Sequence, residues 1–268
     1  MLRRVFRYGG ICNEGEICNE HAPPPLIVTT SWDDGYPSDL RVAELLNKHG
    51  LRGTFYIPCR GPGSHPVMRP ADIIQLAQRF EIGGHTRDHI DLTKIRSDRA
   101  VQQIESNKAR LEDLLGCEML GFAYVRGKYN RSVRDLVADA GFKYARTVKS
   151  LITAPVSDPF QGGTTVQFFP HSRTTLISNF VSQGPTRERL FILRKLLGEG
   201  GLSARLLRAA QACARSGGRF HFWGHSYELD AYDLWREFES FLSELQHLNF
   251  HSITNSAFYA SSEHKGGR

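Results

Sequence analysis

The stretch Leu26-Ile27-Val28-Thr29-Thr30-Ser31-Trp32-Asp33-Asp34-Gly35 decides how the chain is read. It is a short β-branched run, set off by Pro23-Pro24-Pro25, that ends in two adjacent carboxylates and a glycine able to turn the chain. Such a run reads as a strand delivering polar side chains at its carboxyl end. Downstream, strand-like runs alternate with amphipathic helical stretches. The spacing predicts a helix over 38–49 and a strand over 53–57 closed by Pro58, then a helix over 71–78 before a strand over 80–83. A helix over 97–115, stopped by Gly116, precedes a strand over 121–125, and a helix over 131–140 precedes a strand over 143–148. Residues 151–163 read as loop, 165–169 as a strand, and 188–216 as helical with a break at Gly198-Glu199-Gly200-Gly201. A strand over 219–224, a helix over 232–248 and a strand over 251–254 finish the series. Seven or eight β/α units in one unbroken series predict an α/β barrel-like domain over 26–268, preceded by a flexible leader over 1–25.

Composition sets the outer bounds. The 268 residues are 40% hydrophobic, with 34 Lys and Arg against 28 Asp and Glu for a formal charge of +6, which excludes a disordered or fibrous chain. The basic residues read as scattered among acidic ones, so no nucleic-acid partner is expected. Cys12, Cys18, Cys59, Cys117 and Cys213 are odd in number and dispersed, which favours a reducing compartment. No apolar stretch of signal-peptide length follows Arg3, Arg4 and Arg7, and no run is long enough to span a membrane. A cytoplasmic location is the expectation. Ile11-Cys12-Asn13-Glu14 is echoed by Ile17-Cys18-Asn19-Glu20, but no second Cys/His pair at zinc spacing accompanies them, so both are assigned to the leader.

Side chains just past the carboxyl ends of barrel strands converge on one face, and chemistry is sought there. Asp33 and Asp34 point in different directions, so one can serve a metal and the other a proton, although either would also suit a helix cap. The third strand runs into Gly83-Gly84-His85-Thr86-Arg87-Asp88-His89. Two histidines four residues apart can place two imidazole nitrogens on one ion. With Asp34 they make a two-nitrogen, one-oxygen set that leaves a coordination position open, the form of a catalytic site rather than a structural one. A later strand ends in Phe222-Trp223-Gly224-His225-Ser226-Tyr227-Glu228. His225 is placed to donate a proton on the same face, with His221, expected deeper in the barrel, as its rival.

Trp32-Asp33-Asp34-Gly35 together with His85-Thr86-Arg87-Asp88-His89 resembles the first two motifs of the polysaccharide deacetylases, carbohydrate esterase family four with its NodB-like homology domain. The resemblance runs in order from about Leu26 to His225. It implies a distorted (β/α)7-8 barrel of the polysaccharide deacetylase type, a divalent metal ion, most often Zn2+, and hydrolysis of an N-acetyl group from an amino sugar. By position it makes Asp33 the catalytic base, Asp34, His85 and His89 the metal ligands, and His225 the catalytic acid. The third motif departs from the family pattern. Ala123 stands where an arginine usually orients the base, in Phe122-Ala123-Tyr124-Val125-Arg126-Gly127-Lys128-Tyr129-Asn130. That role is then vacant or filled from elsewhere, with Arg126 as one candidate. This variant stretch, and Trp223-Gly224-His225-Ser226-Tyr227-Glu228-Leu229, are similar to a branch linked to cell-surface (O-antigen) polysaccharide biosynthesis.

The implied enzyme is a metal-dependent hydrolase of a linear amide C–N bond. Its partner is an N-acetylated amino sugar in a polysaccharide or in a lipid- or nucleotide-linked precursor. The turn at Arg126 is the candidate for an oxyanion-binding N–H, and Trp32, Tyr124 and Trp223 are candidates for stacking on a sugar ring, although aromatics at strand ends more often belong to the core. Other outcomes are a metal-independent cyclic imide or ureide hydrolase, a catalytically silent carbohydrate-binding barrel, and a glycosidase pairing Asp33 or Asp34 with Glu228.

Overall fold

A computed structural model describes residues 25–63 and 65–263. The leader expected over 1–25, with Cys12 and Cys18, lies almost wholly outside the described residues. Among the described residues, eight strands form one parallel sheet: β1 (Leu26–Asp33), β2 (Thr54–Ile57), β3 (Glu81–Gly84), β4 (Gly121–Ala123), β5 (Tyr144–Arg146), β6 (Val166–Gln167), β7 (Arg219–Gly224) and β8 (Phe250–Ser252). Their order is β5-β4-β3-β2-β1-β7-β6, with β8 paired to the start of β1. The sheet curls into a half-barrel. Its end strands β5 and β6 do not pair with each other among the described residues; residues 147–152 after β5 instead bond residues 162–165 ahead of β6, with Arg146 bridging Gly162, so the (β/α) barrel expected from the sequence is incompletely closed.

The helices follow in chain order: α1 (Asp39–Lys48), α2 (Pro70–Ala77), α3 (Ser97–Leu115), α4 (Arg131–Asp139), α5 (Arg173–Ser182), α6 (Arg187–Leu196), α7 (Leu202–Ser216), α8 (Ser226–Ala231), α9 (Trp235–Leu245) and α10 (Asn255–Glu263). Among the described residues, no helix is long and apolar enough to cross a membrane. Most elements fall within a residue or two of the expected bounds. Helices α5, α8 and α10 are additions to them. Helix α5 carries no fully buried residue, so the apolar stripe that betrays a helix in sequence is weak there.

Alternation along the strands sorts side chains into two populations. On β1, Val28 and Trp32 face the helices, and Trp32 packs edge-on against Phe238 of α9 with ring centres 5.1 Å apart. Phe222 of β7 meets Phe241 of α9 in the same way at 5.4 Å. This helix-side layer is the apolar core, where burying each large side chain contributes about 1.5–3 kcal/mol. The opposite population, Thr29, Ser31 and Asp33 of β1 with Tyr56, Tyr144, Arg146 and His221, faces inward and is buried yet polar. Two inward-facing glycines make room for it: a Cβ on Gly83 would lie 2.6 Å from the Tyr56 ring, and one on Gly121 would lie 2.1 Å from the Tyr144 hydroxyl. Helix α10 closes this interior from below. Tyr259 stacks on Tyr144 at 4.7 Å and the Asn255 amide donates to the Tyr56 hydroxyl at 3.0 Å.

Candidate active site

The carboxyl ends of β1, β3, β5 and β7 bring Asp33, Asp34, His85, His89, Arg146 and His225 together. Asp34 Oδ1 lies 3.3 Å from His85 Nε2 and 2.9 Å from His89 Nε2, and Asp34 Oδ2 lies 4.0 Å from His225 Nε2. One nitrogen from each of His85 and His89 and one oxygen from Asp34 lie within 4.8 Å of one another. Both histidines reach the carboxylate because the chain takes left-handed turns on either side of it. Asp34 has φ 77°, Thr86 φ 65° and His89 φ 48°, conformations that cost an L-residue energy and cluster at functional sites.

The donor set fits a divalent ion. His85 Nδ1 sits 2.8 Å from the Ala123 carbonyl, which fixes that nitrogen as the protonated one and leaves Nε2 with its lone pair toward Asp34. The His85 backbone N–H donates to Asn107 Oδ1 at 2.8 Å, and the Asn107 amide donates to the Ile57 carbonyl at 3.0 Å, so the carboxyl end of β3 is pinned to that of β2. Asp34 Oδ1 is buried with no hydrogen-bond donor, an acceptor left for a cation. Burial would raise the Asp34 pKa, but positive charge on the facing His85 and His89 side chains outweighs it and holds the carboxyl well below the usual range, so the site favours the carboxylate that a cation needs. Two imidazoles and one carboxylate form a candidate site for zinc or a similar divalent ion.

Asp33 is also buried, and both its oxygens accept from Nη2 of Arg146, which is 1% exposed. Arg146 lies over the Tyr56 ring at 5.2 Å and the Trp223 ring at 4.9 Å, cation–π contacts that hold the guanidinium in place. Arg146 is the parallel-register partner of Ala123 across β4 and β5. The arginine absent from Ala123 is thus supplied one strand over. Arg126, offered from sequence for that role, is exposed in the turn after β4 and does not pair with Asp33. It lines a cavity instead.

His225 follows β7, its Nδ1 3.1 Å from Glu228 Oε2 one turn along α8. Burial would lower its pKa, but Glu228, Asp33 and Asp34 outweigh burial and raise it to about 9. Glu228 is held by the Gln167 amide at 3.0 and 3.2 Å, and the Gln167 carbonyl oxygen lies 3.0 Å from His171 Nε2. The rival His221 lies between Thr29 Oγ1 at 2.7 Å and Ser31 Oγ at 3.1 Å, inside the sheet. Burial, with Arg219 and Arg146 nearby, pushes its pKa well below the ordinary value, so it is a neutral structural group.

The aromatic expectations need correction. Trp32 is fully buried on the helix side, because Asp33 faces inward and its neighbour must face outward. Tyr124 is 1% exposed, donates its hydroxyl to the Phe160 carbonyl at 3.1 Å and stacks on Tyr129, so it too belongs to the core. Neither offers a face to a sugar. Trp223 stands with its ring centre 5.3 Å from that of His225 and lines, with Arg126, Gln167, Phe169 and His171, a cavity of about 250 Å³. Tyr227, 37% exposed, has its ring centre 5.2 Å from that of His225 and 4.8 Å from that of Tyr36. No sequence pattern singled it out, since its place depends on the turn into α8.

The polysaccharide deacetylase family model matches residues 20–145. That span supports the polysaccharide deacetylase family. It contains Asp33, Asp34, His85 and His89, and it stops one residue before Arg146. A Bacillus subtilis protein of uncharacterised function, YlxY, is 23% identical over 119 residues, 42% of this chain, and the match spans 34% of its own length. Among solved structures, one from Mycobacterium smegmatis, described provisionally as a polysaccharide deacetylase, superposes with TM-score 0.65 at 14% identity, covering 92% of this chain and 93% of that one. The peptidoglycan deacetylase PdaC of Bacillus subtilis gives TM-score 0.57 at 13% identity over 91% and 95% of the two chains. A family 4 acetyl xylan esterase from Clostridium thermocellum, solved with a cobalt ion, gives 0.55 at 12% over 88% and 92%. These likenesses show that the chain has the polysaccharide deacetylase fold.

Proposed function

We propose that this protein is a metal-dependent carbohydrate N-deacetylase that hydrolyses the acetamide C–N bond of an amino sugar. The observation that carries this is the convergence of two inward-facing carboxylates with separate partners: Asp34 with two imidazoles, Asp33 with one buried guanidinium. A divalent ion, Zn2+ by its donor set, held by Asp34, His85 and His89 supplies polarisation of the acetyl carbonyl and a water of lowered pKa. The chain's own residues do the rest. Asp33 accepts the proton of the attacking water, and Arg146 fixes which oxygens it presents. His225, kept protonated by Glu228, gives a proton to the departing nitrogen, which cannot leave as an amide anion near neutral pH. The turn at Arg126 offers a backbone N–H to the developing oxyanion. Trp223, Tyr227 and Arg126 contact the sugar.

The sugar is an N-acetylated hexosamine in a cell-surface (O-antigen) polysaccharide or in its lipid- or nucleotide-linked precursor, a reading supported by the Ala123-Tyr124-Val125-Arg126-Gly127-Lys128 and Trp223–Leu229 stretches. A silent barrel is disfavoured because Arg146 restores the partner that Ala123 lacks. A glycosidase is disfavoured because Glu228 is committed to His225 and Gln167. Acetate release across a panel of N-acetylhexosamine derivatives, with zinc added and omitted, tests the proposal. Release of reducing sugar without acetate would favour the glycosidase.

A further inference from the structure

Helices α5 and α6 carry an outer face that the candidate site does not use. On α5, Arg173, Ile177 and Val181 recur every fourth residue and form one stripe, with Ile177 44% and Val181 62% exposed. On α6, Arg187, Phe191, Arg194 and Lys195 form a second stripe, with Phe191 43% exposed and Lys195 Nζ 5.1 Å from the centre of its ring. The two helices are clamped together by Arg189. Its buried guanidinium donates to the Asn179 and Phe180 carbonyls of α5 at 3.3 and 3.2 Å, to the Gly184 carbonyl, and to the Ser150 carbonyl at 3.1 Å. Among the described residues, no carboxylate pairs with Arg173, Arg187, Arg194 or Lys195.

The face carries four cations, Arg173, Arg187, Arg194 and Lys195. Residues 173–196, which span both helices, hold five Lys and Arg against one Glu, and one of the five, Arg189, is the buried clamp. A soluble polyanion would engage the cations alone and would leave Ile177, Val181 and Phe191 in water for no gain. Aliphatic and phenyl side chains interleaved with unpaired arginines match a different surface, lipid headgroups whose phosphates take the cations while the apolar side chains enter the headgroup layer. We propose that the α5–α6 face docks the protein on an anionic lipid bilayer. The inner sides of the same helices contribute Leu176 and Leu196 to the cavity that Trp223 borders, so the docking face and the candidate site share a wall. The proposal concerns binding alone and does not depend on the deacetylase reading.

Flotation of the full chain with vesicles of phosphatidylcholine, with or without about one-third phosphatidylglycerol, tests it. The protein is expected to float with the anionic vesicles and not with the neutral ones, and binding is expected to fall as salt rises. Arg187→Glu/Arg194→Glu should weaken binding by at least about tenfold, since each cation near such a surface contributes about fivefold. Ile177→Asp/Val181→Asp should weaken it at low salt as well. Arg99→Glu/Arg110→Glu makes the same charge change on exposed positions of α3 and should leave binding nearly intact. Every substituted side chain is exposed, so either face variant alone decides the outcome should the other fail to fold. Three results would overturn the proposal: no preference for anionic vesicles, equal loss in the α3 variant, or binding that heparin captures and that Ile177→Asp/Val181→Asp does not alter.

Discussion

Arg146 and Asp33 form a buried ion pair across the half-barrel, between the carboxyl ends of β5 and β1. The guanidinium comes from the strand beside the one on which the family pattern places an arginine. Because Ala123 and Arg146 are register partners, the charge has moved sideways by one strand and not along the chain.

Loss of this pair should act on kcat more than on KM. Arg146→Ala is expected to lower kcat by about 10- to 100-fold, the range for groups that orient a reacting residue. It should also destabilise the fold by about 3–5 kcal/mol, because Asp33 is left buried without a counter-ion. Adding Ala123→Arg should recover part of kcat from the register-matched position. Steady-state kinetics and thermal unfolding of the three proteins check this, and no recovery with full folding would show that Arg146 acts otherwise.

The pH profile should report His225. As the proton donor it is competent while protonated, so activity holds below its raised pKa of about 9 and is lost as pH rises through that value. Glu228→Gln removes the main group that raises the pKa while burial still lowers it. The alkaline limb should therefore move to lower pH, measurable as kcat against pH for the two proteins.

Metal affinity should depend on Asn107, which touches no ligand atom of the metal set. Asn107→Leu leaves the His85 N–H and the Ile57 carbonyl without partners and frees the carboxyl end of β3. An affinity loss of about 10- to 100-fold is expected by zinc competition titration. Unchanged affinity would mean that the Ala123 carbonyl alone orients His85.

The aromatics should separate into structural and contacting groups. Trp32→Ala is expected to destabilise the fold by about 3–5 kcal/mol, as for a large core side chain removed. Tyr227→Ala should leave the unfolding temperature nearly unchanged and raise KM. Denaturation curves and substrate titrations distinguish the two.

Local signals carried most of what the sequence disclosed. Asp33-Asp34-Gly35 and His85 to His89 were legible because each ligand group sits within one strand end and its turn, and the β/α alternation was legible through periodicity. Arg146 was not, since nothing in Tyr144-Ala145-Arg146 says which strand lies beside it; register is a property of the sheet. Trp32 takes the core role, and alternation points to it: with Asp33 facing inward, its neighbour faces the helices. Helix α5 is not legible in the sequence, because it buries no residue fully and its stripe of Arg173, Ile177 and Val181 points outward.

The most direct test of the central claim is acetate release from N-acetylhexosamine substrates by protein stripped with a chelator, before and after zinc is restored, with Asp33→Asn alongside. Release that vanishes on stripping, returns with zinc, and stays absent in an Asp33→Asn protein that still binds the metal is the predicted result. Release that persists in the stripped protein, or in Asp33→Asn at the wild-type rate, would contradict it.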